Sequence, residues 1–360
     1  MSSLVRLSAV VALFSLAACD SQKVVAPEPL IEGDVASGFS AEDSAALPLL
    51  RFAHHGSQRC ASAPYRAFDF WVGSWDVYVT DDTAFVGTNV ITRATGGCTV
   101  EEHWIGADGV RGRSLNAYDA STRTWSQLWM DATGGALLLD GTAGRSTMVL
   151  AGTHATNRFD PTPQTDRISW SVTGRQRVRQ VGELSVDGGP FNVLYDLTYR
   201  GVRTPRAIEP APSAFCASPA RVRYHAFDFL LGSWTVEAAS LGVTLQSTVR
   251  TDVGGCLVEE RMTGPHGYSA VAYSGFRSST FTWNWMFVDS RGIRILLSGP
   301  ATLTGTNMIL TGTQSDRDGQ TVNIRAEWAV VDANTVEQRW EFSKDGGATW
   351  TTPTVVTMRK

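Results

Sequence analysis

Tyr65-Arg66-Ala67-Phe68-Asp69-Phe70-Trp71-Val72-Gly73-Ser74-Trp75 returns as Tyr224-His225-Ala226-Phe227-Asp228-Phe229-Leu230-Leu231-Gly232-Ser233-Trp234, displaced by 159 positions. Gly96-Gly97-Cys98-Thr99-Val100-Glu101-Glu102 returns as Gly254-Gly255-Cys256-Leu257-Val258-Glu259-Glu260, displaced by 158. Further along, Thr124-Trp125 matches Thr282-Trp283, Trp170 matches Trp328, and Gln180, Glu183, Ser185, Asp187 and Gly189 match Gln338, Glu341, Ser343, Asp345 and Gly347. The chain is therefore two successive copies of one unit. Solenoid repeats run about 20–50 residues and need neighbours to bury a core, so units this long are separate domains. All twelve tryptophans lie in the copies, six in each.

Both copies read as β throughout. Ile168, Trp170 and Val172 alternate with Ser169 and Ser171, and Val322, Ile324, Ala326, Trp328 and Val330 alternate with mostly polar neighbours, the period of a half-buried strand. Gly134-Gly135, Gly188-Gly189 and Gly346-Gly347 punctuate the pattern, and no segment sustains a helical period. A closed antiparallel barrel or a sandwich of some eight to ten short strands satisfies it.

Composition bounds the function. The 360 residues are 43% hydrophobic and only 18% charged, with a formal charge of −4. A nucleic-acid binder needs clustered positive charge to release counterions, so nucleic acid is excluded as the expected partner. At the amino terminus, Arg6 precedes the apolar run Leu7 to Ala18, too short for the roughly 20 residues of a membrane-spanning helix. The run ends in Leu16-Ala17-Ala18-Cys19, which resembles the lipobox of bacterial lipoprotein signal peptides. The resemblance implies cleavage after residue 18 and acylation of Cys19, an anchor of several chains rather than one. Asp20, a position that retains lipoproteins in the inner membrane of some enteric bacteria, tips the expected location to that membrane, on the periplasmic side.

The expected layout is a signal peptide at 1–18, the lipidated Cys19 and a flexible tether at 19–59 with a short helix near Ala41 to His54, a first domain at 60–200, a linker at 201–215 and a second domain at 216–360. The linker carries Pro205, Pro210 and Pro212 and reads as extended. The His54-His55 pair in the tether has no Cys, Asp or third His at ligand spacing, so no metal is expected.

Gly73-x-Trp75 and Gly232-x-Trp234 open the copies, and Arg200 and Arg359 close them. This resembles the calycin superfamily, lipocalins and their relatives, in which a G-x-W on the first strand packs under a cation from the last strand; a cation–π contact then seals one mouth of the barrel. The resemblance implies an all-β chain of two tandem antiparallel calycin-like β-barrels joined by the Pro-rich linker, with Trp75–Arg200 and Trp234–Arg359 as the seals. The combination of FDFW, G-x-W, GGC-x-V-E-E and Q-x-x-E-x-S-x-D-G-G is similar to a family of secreted bacterial domains of unknown function, which supplies a fold and no reaction. The second copy departs at Leu230 and Met262, where the first has Trp71 and Trp104.

Apart from Cys19, the cysteines are Cys60 and Cys98 in one copy and Cys216 and Cys256 in the other, at matching positions. In an exported chain this even set reads as the disulfides Cys60–Cys98 and Cys216–Cys256; free buried thiols are the alternative for a cytosolic chain.

After Gly97, the residues Cys98, Val100, Glu102 and Trp104 share one face, as do Cys256, Val258, Glu260 and Met262. Glu102 and Glu260 thus lie on the apolar face of their strands, where a carboxyl pairs with a cation or has a raised pKa. By the same parity Gln180 and Gln338 are the second inward polar candidates, and all four are expected in a ligand pocket. A buried polar group satisfied by backbone or water is the competing structural role. Ser343-Lys344-Asp345-Gly346-Gly347-Ala348-Thr349-Trp350 matches the Asp-box of sialidase-like propellers, where it braces a hairpin. No nucleophile elbow, P-loop, dinucleotide fingerprint or H-E-x-x-H occurs, and no histidine recurs between copies. The sequence therefore implies no cofactor and no catalytic residue, and it leaves the oligomeric state open. It points first to a lipid-anchored envelope protein holding a small, largely apolar ligand in a barrel. The alternatives are an envelope enzyme using an interior Glu as general acid or base, and a structural adaptor.

Overall fold

The computed structural model describes residues 59–80, 84–213, 215–239, 242–300, 306–315 and 320–360. The expected signal peptide, Cys19, the helix near Ala41 to His54, the His54-His55 pair and all of the tether before Arg59 lie outside the described residues.

Two closed ten-stranded antiparallel barrels make up the fold. The first consists of β1 (Gly73–Val79), β2 (Phe85–Ala94), β3 (Thr99–Gly106), β4 (Arg111–Asp119), β5 (Thr124–Asp131), β6 (Ala136–Ala143), β7 (Thr147–Asn157), β8 (Asp160–Gly174), β9 (Arg177–Val186) and β10 (Asn192–Gly201). The second consists of β11 (Gly232–Ala238), β12 (Val243–Asp252), β13 (Leu257–Thr263), β14 (Ser269–Arg277), β15 (Thr282–Asp289), β16 (Arg294–Pro300), β17 (Asn307–Ser315), β18 (Thr321–Asp332), β19 (Thr335–Ser343) and β20 (Thr354–Arg359). Each strand pairs with its sequence neighbours, and β10 and β20 return to β1 and β11, so closure pairs both edges of each sheet. Period-two patterning decides what faces inward: Val322, Ile324, Ala326 and Trp328 of β18 are buried while the residues between them are half-buried.

One end of each barrel is plugged by the repeated Phe-Asp-Phe stretch, a 3-10 turn that precedes the first strand. Phe68 stacks on Trp71 with ring centroids 4.9 Å apart, and Trp75 Nε1 donates to the Trp71 carbonyl at 2.9 Å. Trp234 Nε1 does the same to the Leu230 carbonyl at 2.6 Å. Arg93 ties the first plug down by donating to Asp69 and to the carbonyls of Tyr65 and Gly97. The disulfides are Cys60–Cys98 and Cys216–Cys256, each fastening the segment before the plug to the turn between the second and third strands.

The cations at the plugged ends differ from the expected seals. Arg200 lies over the Tyr78 ring, 4.2 Å from its centroid, and Arg359 turns to Glu237 at 3.4 Å. The cation over Trp234 is Lys360, at 4.7 Å. Strand parity is the reason: Tyr199 and Met358 are buried opposite Val77 and Val236, so the arginine one residue later points out of the barrel. The position equivalent to Lys360 in the first copy is Gly201, which carries no side chain.

The barrels pack side by side with opposite polarity, related by a pseudo-twofold. Tyr224, at the plugged end of the second barrel, approaches Gly134 in the β5–β6 loop, where a Cβ would stand 2.5 Å from its hydroxyl. Tyr65, its counterpart, approaches Gly292 in the β15–β16 loop with the corresponding distance 2.6 Å. Between them Leu115, Leu128 and Met130 form one buried cluster with Val271, Tyr273, Met286 and Val288. Ion pairs frame it: Arg113 with Asp252 at 2.7 Å, Arg261 with Glu101 at 2.6 Å and Arg294 with Asp119 at 2.7 Å. Exposing a buried Leu or Met costs about 1.5–3 kcal/mol, so the pair behaves as one body. The segment after β10 is extended as expected, but it is fastened along the first barrel: the Arg206 amide donates to Asp76, the Ala211 amide to the Gly109 carbonyl, and Ser213 Oγ to the Ala132 carbonyl.

The Asp-box stretch forms the β19–β20 connection. Asp345 Oδ1 and Oδ2 accept from the Thr349 amide at 2.9 Å and hydroxyl at 2.6 Å, and Arg325 covers the Trp350 ring at 4.5 Å.

Candidate functional site

Glu102 lies inside the first barrel on β3, between Ile91 of β2 and Ser114 of β4. It is buried, and its carboxylate is met by neutral donors rather than by a cation. Asn89 Nδ2 donates to Oε1 at 2.6 Å and Ser114 Oγ donates to Oε2 at 2.7 Å. Burial outweighs these two bonds and raises the Glu102 pKa to about 7. The bonds continue outward. Asn89 Nδ2 also points to the Tyr199 hydroxyl at 3.4 Å, which donates to Gln180 Oε1 at 2.7 Å. On the other side, Asn116 Nδ2 donates to Ser114 Oγ at 2.9 Å and Gln127 Nε2 donates to Asn116 Oδ1 at 2.9 Å. The structure thus brings Glu102 and Gln180 into one polar chain across the barrel interior. Asn89 Oδ1 and the indole nitrogens of Trp71, Trp125 and Trp170 are buried without a hydrogen-bond partner among the described residues.

The second barrel keeps the two end points and loses the chain. Glu260 accepts from Ser247 Oγ at 2.6 Å, and burial raises its pKa to about 7. Gln338 lies against Met358 Sδ at 3.1 Å and accepts from Trp340 Nε1 at 3.3 Å. At the remaining positions Ala272 stands for Ser114, Trp285 for Gln127 and Met358 for Tyr199. Trp285, Trp328 and Trp340 pack with mutual centroid distances of 5.5–5.9 Å. This interior is filled by its own aromatic side chains.

The first barrel, in contrast, holds a cavity of about 510 Å³ at its unplugged end. Trp129, Leu137 and Leu184 form its apolar wall and His154, Gln164 and Asp166 its polar one, with the β5–β6 loop at the rim. The other side of the rim comes from the second barrel, whose β14–β15 turn contributes Arg277, Ser278 and Ser279. Asp166 Oδ2 is the hub, 2.9 Å from His154 Nε2 and 3.5 Å from Arg277 Nη2. His154 Nδ1 faces the Ala155 carbonyl at 2.7 Å, so both ring nitrogens meet oxygen atoms of the protein. Burial lowers the pKa of Arg277, and Asp166 opposes that shift.

Tyr195 joins the two layers. Its ring packs over Gly182, where a Cβ would stand 2.2 Å from it, and burial together with the charges of Glu102 and Asp166 pushes its phenol well above the ordinary range. In the second barrel the volume is exchanged: Trp340 occupies the Gly182 position and Thr354 the place opposite it.

Of the residues expected from sequence, Glu102 and Gln180 share the first barrel's network. Glu260 and Gln338 line the filled barrel, and Trp75 and Trp234 sit at the plugs. His154, Asp166, Tyr195 and Arg277 escaped that reading. Gln164 and Asp166 do continue the inward parity of Ile168 and Trp170, and the matching Val322 and Ile324 mark the divergence of the copies. Among the described residues no group of three or more His, Cys, Asp or Glu side chains is placed to hold a metal ion, and no helix is long and apolar enough to cross a membrane.

No family model matches the chain, and no curated protein matches it. Among solved structures, the chain is similar to a protein of unknown function from the DUF3598 family of Nostoc punctiforme, at 10% identity over 83% of this chain and 99% of that one, with a TM-score of 0.20. At that identity and score the likeness assigns no activity.

Proposed function

We propose that this is a lipid-anchored protein of the bacterial cell envelope, held on the periplasmic side through Cys19, whose first barrel binds or carries a small molecule while the second serves as scaffold and rim. One observation carries the binding reading: the cavity of about 510 Å³ in the first barrel, within the range of small-molecule sites, has its matching positions taken by Phe287, Ile324 and Phe342 in the second. The ligand suited to it is amphipathic rather than largely apolar, because His154, Gln164, Asp166 and Arg277 face the same space as Trp129, Leu137 and Leu184. The two disulfides support an exported location, where thiols oxidise.

Acid–base catalysis by Glu102 is the weaker reading. Glu260, in the filled barrel, has its pKa raised to the same value by the same burial, so the shift follows from the position and needs no substrate.

Native mass spectrometry of the full chain released from its membrane fraction tests the proposal. Wild type is expected to carry a small molecule that the double variant Asp166→Ile, Leu184→Phe, copying the second barrel, has lost. A wild-type protein with no bound mass, or with the same mass retained by a folded double variant, overturns it.

A further inference from the structure

The lining of the first barrel's cavity also restricts the chemistry of what it holds. An apolar guest would strip water from His154, Gln164, Asp166 and Arg277 and offer no partner in return, at about 1–3 kcal/mol for each group left unsatisfied. A guest with one strong charge fares no better. Arg277 and Asp166 already face each other, and the Asp131 carboxylate at the rim accepts from the Thr133 and Gly135 amides and the Thr133 hydroxyl, so each of these charges is already engaged within the protein. What remains is a surface of donors and acceptors in close alternation, with Ser278 and Ser279 supplying hydroxyls that do both.

The apolar side is specific too. The six-membered ring of Trp129 packs over Gly112, where a Cβ would stand 2.1 Å from it, and the same side chain lines the cavity. A large indole held against the wall by a residue with no side chain is a preformed platform. None of these choices is dictated by the barrel, since the second copy has Phe287 for Trp129, Val322 for Gln164 and Ile324 for Asp166.

We propose that the cup takes a neutral polyhydroxylated ring, a sugar or cyclic polyol, with its C–H face on Trp129 and its hydroxyls on Gln164, Asp166 and Arg277. Each hydroxyl of such a ring donates and accepts, which matches mixed donors and acceptors better than any guest with a single head group. The inference rests on the reading of the first barrel as a binding cup.

Saturation-transfer NMR on the full chain distinguishes the failure of one from the failure of the other. The probes are glucose, galactose, N-acetylglucosamine and myo-inositol, with 1-octanol as the apolar counterpart. Transfer to the ring C–H protons of at least one polyol is expected, lost in Trp129→Ala and kept in Trp129→Phe. Gln164→Ala, which leaves the platform intact, should weaken binding roughly tenfold, the equivalent of one hydrogen bond. Transfer to octanol alone, abolished by filling the cup with Leu184→Phe, overturns the polyol inference and leaves the binding reading standing. Polyol signals that persist unchanged in Trp129→Ala and Gln164→Ala also overturn it. No cup-dependent transfer to any probe, together with no bound mass in the native spectrum, overturns both.

Discussion

Replacing Glu102 by Gln removes a buried ionisation while preserving the shape of the side chain. The consequence is a stability difference that depends on pH. In the folded chain the Glu102 pKa is raised from 4.5 to about 7, so the native state holds its proton where the unfolded chain has released it. Wild-type stability therefore falls as pH rises from about 4.5, and it levels off above about 7 once both states are ionised. A displacement from 4.5 to about 7 corresponds to a deficit of about 3 kcal/mol at pH 8 and less than about 1 kcal/mol at pH 5. The amide introduced by the substitution cannot ionise, and it can still meet Asn89 and Ser114. Glu102→Gln is thus expected to match wild type within about 1 kcal/mol at pH 5 and to exceed it by about 3 kcal/mol at pH 8, a rise of several degrees in Tm for a body of this size. Urea titrations of both proteins at pH 5, 6, 7 and 8, with the disulfides intact, give the curve. A difference that stays flat across this range would refute the placement of an unpaired carboxyl in the barrel interior. Glu260→Gln should trace the same curve, since its pKa is raised to the same value.

Two further perturbations probe the packing around the cup. Arg113 donates to Asp252 at 2.7 Å and to the Tyr273 hydroxyl, beside the buried Glu259; Arg113→Met keeps the stem and leaves Arg250 and Arg261 on Glu259 and Arg111 beside Asp252, so it should cost about 1–3 kcal/mol for the lost charged hydrogen bonds, read from the denaturant midpoint, whereas a loss below about 0.5 kcal/mol would fit only a surface ion pair. Gly182→Ala places a methyl group 2.2 Å from the Tyr195 ring and should cost about 1–3 kcal/mol; adding Tyr195→Thr, the second barrel's answer at that place, should recover part of it, and strictly additive losses in the double variant would show that the two side chains do not share the space.

The architecture was legible because it is carried by periodicities that survive duplication. The alternation in β8 and β18, the paired cysteines and the repeated plug each state a local rule twice. The seals at the plugged ends differ from the expectation by one step of strand parity: in a strand one residue exchanges the inside for the outside, so Arg200 and Arg359 point away from the barrel interior next to the buried Tyr199 and Met358, and of the residues that follow, Lys360 covers Trp234 while Gly201 has no side chain. The cup was harder to see for a different reason. His154 and Asp166 stand on neighbouring strands 12 residues apart, and Arg277 arrives from the other barrel, 111 residues beyond Asp166. No local pattern links the three, because their meeting depends on how the two copies dock.

Recurrence between the copies is what first draws attention to Glu102, Gln180, Glu260 and Gln338, yet it is divergence that separates structural residues from those a ligand would use. Glu102 and Glu260 have the same raised pKa in a barrel with a cavity and in a barrel filled by Trp285, Trp328 and Trp340, so a carboxyl at this position belongs to the fold. The residues that differ at matching inward positions, Asp166 against Ile324 and Gln164 against Val322, are free of that constraint. The pseudo-twofold makes the divergence useful. It lays the plugged-end hairpin of each barrel beside the open end of the other, which puts Arg277 at the first mouth and its counterpart Asp119 at the second. There Asp119 pairs with Arg294 at 2.7 Å, closing a contact between the barrels, while Arg277 reaches only 3.5 Å from Asp166 beside open volume. Two mouths built on one plan thus differ: at one, Arg294 pairs with Asp119 across the barrels, and at the other, Arg277 completes a cup lined by both copies.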